Sequence, residues 1–195
     1  MIKVGITGGI GTGKTTVCKV FEQLGVSVYY ADDESKKLLD SDRELKENIA
    51  LYFGKEILFP TGIIDRKKLA TLVFKDKVKL EKLNSFIHPR VYAHFLKWCD
   101  THVKEKYILK EAAILFETAL DKQLDKIITV TAPRELKISR VVKRDRVNAE
   151  DVLKRMNSQM SDEEKIKLSQ FVIYNDEQQL VLPQVLQIHE QLSRA

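Results

Sequence analysis

Residues 8–15 read Gly8-Gly9-Ile10-Gly11-Thr12-Gly13-Lys14-Thr15, the pattern G-x-x-x-x-G-K-[ST] of a phosphate-binding loop. No other stretch limits the possible folds so strongly. A pattern this short also arises by chance, so its flanks decide. Before it, Ile2-Lys3-Val4-Gly5-Ile6-Thr7 is a short apolar run of buried-strand type. After it, Val17, Val20, Phe21 and Leu24 recur on one helical face. Strand, glycine loop, helix is the order that separates a phosphate loop from a glycine-rich turn. Glycines let the backbone wrap with φ values that other residues resist. Successive N–H groups then form an anion nest, and a helix starting near Gly13 adds the positive end of its dipole. Lys14 is expected on the β- and γ-phosphates, and the Thr15 hydroxyl on Mg²⁺. The loop implies a nucleoside triphosphate and leaves the acceptor open.

The first thirty residues make a βαβ unit. Gly25 stands where a helix wants a left-handed terminator, and Val26 to Tyr30 reads as the second strand. That strand runs into Ala31-Asp32-Asp33. Ligands of open α/β sheets bind beyond the carboxyl ends of strands, so Asp32 is a candidate for chemistry. The alternative is an N-cap for the next helix, a role that Asp33 is able to take instead. Further strands are expected at 107–113, 125–132 and 171–174, with Glu111 near the carboxyl end of the first of these. Glu111 either orients a water or the acceptor, or it pairs with a neighbouring lysine. Together these strands predict a five-stranded parallel sheet with helices on both faces.

Residues 34–104 separate the second and third strands and are helical in pattern, far too long for an ordinary crossover. They are expected to form an inserted helical domain that carries acceptor specificity. Ser41-Asp42-Arg43-Glu44 predicts a capping box, and Asp65 and Asp76 predict N-caps. Phe59-Pro60-Thr61-Gly62 predicts a turn, Phe116 to Leu120 a short helix, and Pro89 the first turn of a new helix. His88 either touches the acceptor or donates a ring N–H at that helix junction.

Between Pro133 and Val147 lie six basic residues (Arg134, Lys137, Arg140, Lys143, Arg144, Arg146) and two acidic ones (Glu135, Asp145). Arg140 and Arg144 share a helix face. Such a pair suits a lid that clamps a transferring phosphoryl group, the alternative being a solvated basic face. Asn148 and Ser161 predict helix N-caps, and the short polar pieces between them suit a movable flap. Pro183 is expected to delay or kink the last helix.

Composition narrows the functional classes. The net charge of +5 suits a polyanionic ligand. Cys18 and Cys99 have no metal-ligand spacing, which predicts idle thiols in a reducing compartment. No apolar run approaches the roughly 18 residues of a membrane span, and the amino terminus has no signal-peptide layout. A cytoplasmic enzyme is expected. N-K-x-D and D-x-x-G are both absent, which argues against a GTP switch. No stacking-aromatic pattern accompanies the basic segment, which argues against nucleic acid as a partner.

The chain resembles the dephospho-CoA kinase family along nearly its whole length. The resemblance rests on residues 6–17, Ala31-Asp32, Gly62-Ile63-Ile64-Asp65-Arg66 with Leu69 and Val73-Phe74, and Leu83-Asn84-Ser85-Phe86-Ile87-His88-Pro89. It continues through Leu115-Phe116-Glu117, Arg140, Arg144, Ser158-Gln159-Met160-Ser161 with Glu164-Lys165, and then Ile173 and Asn175. It implies a three-layer α/β/α P-loop kinase core, with a helical insertion and a helical lid. In residue ranges, the core is 1–33, 105–135 and 166–195, the acceptor domain 34–104 and the lid 136–165. It implies ATP-dependent phosphorylation of the ribose 3′-hydroxyl of dephospho-CoA, the last step of coenzyme A synthesis, with Mg²⁺ as cofactor. Asp32 corresponds to the catalytic base, with Lys14 and Arg140 acting on the phosphoryl group. ATP is expected on Gly9, Gly11, Thr12, Gly13, Lys14, Thr15, Thr16, Arg144 and Asn175. The acceptor is expected on Asp32, His88, Glu111 and Lys36. The chain differs from the family's usual residues at Tyr30 (aspartate), Lys36 (arginine), Glu111 (aspartate), Ala113 (proline), Lys137 (glutamine) and Ser169-Gln170 (Ala-Asp).

Overall fold

Beyond sequence, the protein is described by a computed structural model that covers residues 1–73 and 76–194. Phe74 of the resemblance falls outside the described residues. The chain divides into two compact units, one made of 1–30 with 102–195, the other of 31–101.

In the first unit, β1 (Ile2–Thr7), β2 (Val28–Tyr30), β3 (Tyr107–Glu111), β4 (Lys126–Thr131) and β5 (Phe171–Tyr174) form one parallel sheet of order β2-β3-β1-β4-β5. The central strand is the one that leads into the glycine loop. It pairs with β3 through Ile6↔Glu111 and with β4 through Ile6↔Ile128, so β1 and β3 end side by side beneath the loop while β4 runs on to Thr131. Helices α1 (Lys14–Gln23) and α9 (Val181–Arg194) share a core with the sheet through Ile6, Phe21, Leu109, Val130, Ile173 and Ile188. The short α8 (Asp162–Lys167) packs against β4. Between β4 and α8 run α6 (Arg134–Asp145) and α7 (Ala149–Asn157).

β2 starts two residues later than the sequence predicts. Glu105 takes both the Ser27 N–H (3.1 Å) and the Ser27 hydroxyl (2.6 Å), which removes that donor from the ladder. The helix expected at 116–120 is absent. Residues 113–119 are turns, and a 3₁₀ helix follows at Leu120–Gln123. Ala119 sits there at φ 54°, a conformation that stops helical propagation. Asn148 and Ser161 cap α7 and α8 as expected, Ser161 with a full capping box to Glu164. Pro183 lies in the first turn of α9, where its missing N–H is tolerated.

The second unit contains α2 (Ala31–Ser41), α3 (Arg43–Phe53), α4 (Arg66–Val73) and α5 (Lys77–Asp100). α5 packs against the other three. The expected new helix at Pro89 does not occur, because α5 runs straight through that residue. An interior proline costs about 3 kcal/mol. The buried row Leu83, Ile87, Val91, Phe95 and Cys99 continues at four-residue spacing on both sides of it, and burying a side chain of this size contributes roughly 1.5–3 kcal/mol. Packing therefore outweighs the proline. The capping box expected at Ser41 is likewise revised. Asp42 is the N-cap of α3, accepting the Leu45 N–H at 3.0 Å, while the Ser41 hydroxyl donates back to Lys37 O at 2.8 Å. Asp65 and Asp76 cap as predicted. The turn at 59–62 closes with Gly62 N–H on Phe59 O at 2.8 Å.

Candidate active site

The glycine loop follows β1 and passes at Gly13 into α1. Gly11 and Gly13 take φ values of 82° and 88°, in the region that L side chains avoid. They are also crowded. A Cβ on Gly11 would stand 2.5 Å from Lys137 O, and one on Gly13 would stand 2.2 Å from Asn175 Nδ2. The start of α6 and the end of β5 thus press directly on the loop. Inside it, the buried Thr12 donates its hydroxyl to Gly9 O at 2.9 Å. The Lys14 ammonium folds back over the loop and donates to Gly8 O (2.8 Å) and Gly9 O (3.4 Å). Thr15 and Thr16 are exposed in the first turn of α1, the Thr16 N–H donating to Gly13 O at 3.0 Å.

Two segments distant in sequence close on the loop. Asn175, just past β5, donates its Nδ2 to Thr12 O at 2.8 Å. Arg140 of α6 reaches Asn175 Oδ1 at 3.5 Å and Glu177 Oε1 at 3.0 Å. Its other terminal nitrogen, Nη1, is buried with no hydrogen-bond partner among the described residues. From the opposite side comes the link between α7 and α8. Gln159 Oε1 accepts the Ile10 N–H at 2.9 Å. Asp162 accepts from Lys137 Nζ (2.6 Å) and Thr131 Oγ1 (2.9 Å). A cavity of about 580 Å³ opens beside this link, lined by Gly9, Pro133, Lys137, Gln159, Asp162 and Tyr174 among others.

Arg144, one turn beyond Arg140, is not part of this cluster. It forks onto Asp145 at 2.7 and 3.1 Å. Glu111 closes β3, buried, with Ile6 and Tyr30 as its register partners. Burial, together with Glu111 and Glu22, pushes the Cys18 thiol well above its ordinary range. Burial also raises the Tyr30 phenol, with further contributions from Cys18 and from the hydrogen bond to Glu22 Oε1 at 3.0 Å. Tyr30 is therefore a neutral group at the carboxyl end of β2.

The other predicted acceptor residues belong to the helical unit. α2 begins at Ala31, so Asp32 is its second residue and not its N-cap. It is exposed, in a first turn that also holds Asp33 and Glu34. Lys36 donates to Asp33 Oδ1 at 2.7 Å. His88 lies in the middle of α5, without the helix junction that its structural alternative required. The contacts that sequence reasoning left without a role are those of Gln159, Asp162 and Glu117. Gln159 and Glu117 sit in fragments that resemble the family, but nothing local says what a glutamine 149 residues from Ile10 touches.

A sequence model of dephospho-CoA kinase matches residues 2–180. The chain belongs to the dephospho-CoA kinase family. A dephospho-CoA kinase from Bacteroides fragilis is 40% identical over 187 residues, 96% of this chain and 91% of that one. A solved structure of a Thermus thermophilus protein superimposes with a TM-score of 0.83 at 30% identity, covering 98% of this chain and 95% of the other. The dephospho-CoA kinase of Campylobacter jejuni gives 0.72 at 28%, with 98% and 97% covered. Family membership makes this chain an ATP-dependent kinase of coenzyme A biosynthesis on a P-loop kinase core. No helix among the described residues is long and apolar enough to cross a membrane.

Proposed function

We propose that the loop at 8–15 holds the triphosphate of ATP while Asp32 presents the ribose 3′-hydroxyl of dephospho-CoA to it. The hydroxyl oxygen attacks the γ-phosphorus in line. Its proton passes to the Asp32 carboxylate. A new O–P bond forms as the bond from the γ-phosphorus to the bridging oxygen of ADP breaks. Phosphoryl transfer depends on positioning and charge stabilisation more than on a strong base, so Lys14 and Arg140 carry more of the rate than Asp32.

What supports this assignment is that Lys14 and Asn175 both bond the loop, with Arg140 reaching Asn175 beside it. In the described state Lys14 is parked on two carbonyl oxygens of the loop. A triphosphate offers stronger, charged acceptors, so Lys14 exchanges Gly8 O and Gly9 O for phosphate oxygens on binding. The N–H groups of Gly9, Gly11, Gly13 and Thr15, with the Thr12 and Thr16 side chains, complete the ATP contacts, and Asn175 lies toward the adenine. Arg140 has a donor to spare in its buried Nη1, and Arg144 joins once its fork on Asp145 opens. The helical segment 34–104 takes the acceptor, through Lys36 and His88 with Glu111 from the core, and 136–165 serves as the lid. Mg²⁺ in kinase sites takes one or two protein oxygens, its other ligands being water and phosphate. The exposed Thr15 hydroxyl at the head of α1 fits that donor set. Bound there with the nucleotide, Mg²⁺ would neutralise charge developing on the phosphates. The same assignment places the enzyme in the cytoplasm.

The test is purified protein with MgATP and a panel of dephospho-CoA, adenosine and AMP. We expect a 3′-phosphorylated product from dephospho-CoA alone. Phosphorylation of another panel member with dephospho-CoA untouched would overturn the assignment. For Asp32→Asn we expect ATP binding to persist while turnover falls by about 10², the lower end of the range for a general base. Unchanged turnover would leave Asp32 only its place in the first turn of α2.

A further inference from the structure

We propose that Gln159 is a positioning residue for phosphoryl transfer, which locks the peptide between Gly9 and Ile10 and thereby holds Thr12 and the turn at 9–12 in place for the incoming phosphates. The proposal rests on assigning the loop to ATP. That peptide is held at both poles. Its N–H, on Ile10, donates to Gln159 Oε1 at 2.9 Å. Its carbonyl, on Gly9, accepts from the Thr12 hydroxyl at 2.9 Å, the Thr12 N–H at 3.4 Å and the Lys14 ammonium at 3.4 Å. Glycines stand at 8, 9 and 11, so the local backbone resists rotation of this peptide weakly. A flip would exchange the poles, taking the acceptor away from Thr12. Among the described residues, Gln159 alone holds the N–H side.

Gln159 is itself anchored, as a positioning group must be. The next residue, Met160, donates its N–H to Glu117 Oε1 at 2.9 Å. Glu117 pairs with Lys165 at 2.8 Å, and the Lys165 side chain is fully buried. Lys165 also donates to Ala113 O at 3.1 Å. Three residues after Gln159, Asp162 takes Lys137 and Thr131. Asp162 sits close enough that a Cβ on Gly9 would lie 3.0 Å from its Oδ1, and the same Cβ would lie 3.8 Å from Gln159 Oε1. The link between α7 and α8 is thus a strap fastened at both ends, with one side-chain oxygen aimed at the loop.

Gln159→Leu removes the acceptor at similar volume, and Gln159→Glu keeps it. The readouts are hydrogen exchange of the Ile10 amide by NMR, MgATP affinity by titration, and the KM for the acceptor. For the leucine variant we expect Ile10 to exchange at least about tenfold faster. ATP should bind roughly five- to tenfold more weakly, as loss of one net hydrogen bond implies, with the acceptor KM within about twofold of wild type. Gln159→Glu should keep Ile10 protected. Wild-type protection of Ile10 and wild-type ATP affinity in the leucine variant would overturn the proposal. So would an equal loss of affinity for both substrates, which marks a general structural defect. If the leucine variant melts early, the glutamate variant decides: a protected Ile10 supports the proposal, and an unprotected one overturns it. The amide and ATP readouts involve no acceptor, so a wrong acceptor would show itself only in the substrate panel.

Discussion

Arg140 and Arg144 stand one turn apart on α6 and are interchangeable by spacing, yet they end in different surroundings. Arg140, at the root of the basic segment, is three-quarters buried and reaches Asn175, which itself bonds the phosphate loop. Arg144, at the tip, is mostly exposed and tied to Asp145, which also receives Arg155 at 3.1 Å. The same division runs through the whole segment. The root is fastened by Lys137, Asp162 and the fully buried Lys165, whereas the tip is held by surface ion pairs of little individual weight. Any flap motion therefore belongs to the tip, near the end of α6 and along α7, while the root behaves as part of the nucleotide site.

Substitutions can break this comparison or sharpen it. The largest difference should be in catalysis. Arg140→Ala should lower turnover by about 10²–10³, the scale of losing one charge-stabilising donor, and Arg144→Ala by less than about tenfold. Equal losses in kcat from the two variants would abolish the distinction between root and tip. Stability comes next. Lys165→Met leaves Glu117 without its charged partner, which should cost about 3 kcal/mol, or roughly 6–12 °C in Tm for a chain of this size. Arg155→Ala should leave Tm essentially unchanged, as is usual for exposed pairs; calorimetry on the two variants makes the check.

The smallest effect is in pH dependence. Hydrogen bonds from Arg144, and then from Arg155, lower the Asp145 carboxyl to about 2. A depressed carboxylate contributes stability above its unfolded value of about 3.9 and loses it as pH falls through the folded value. The tip should thus stay tied at neutral pH and loosen between about pH 4 and pH 2. A carboxyl titration of Asp145 by NMR that is centred near 4 would show the fork to be absent in solution.

How legible the molecule was depends on the range of the interactions involved. The loop, its strand and its helix are contiguous, and each is dictated by neighbours within a few residues. β1 and β5 accordingly fall where the apolar runs put them, and Asp65, Asp76, Asn148 and Ser161 cap as their local chemistry requires. Pro89 shows the limit. Local propensity ends a helix there, but the apolar row from Leu83 to Cys99 has a surface to bury on both sides. Ser41 fails for a related reason, since the adjacent Asp42 is the better placed acceptor once α2 runs up to it. In the candidate site, Gly11 and Gly13 could be read from their motif, although what crowds them could not.

The sequence by itself determined a phosphate loop between a strand and a helix, a five-stranded sheet, a long helical insertion and the kinase family, because each of these is written in short-range pattern or in ordered motifs. Only the tertiary structure decided the strand order, the unbroken α5, the separation of Arg140 from Arg144, and the meeting of Gln159 with Ile10. Those depend on which distant surfaces bury one another, and periodicity within a segment carries no record of that.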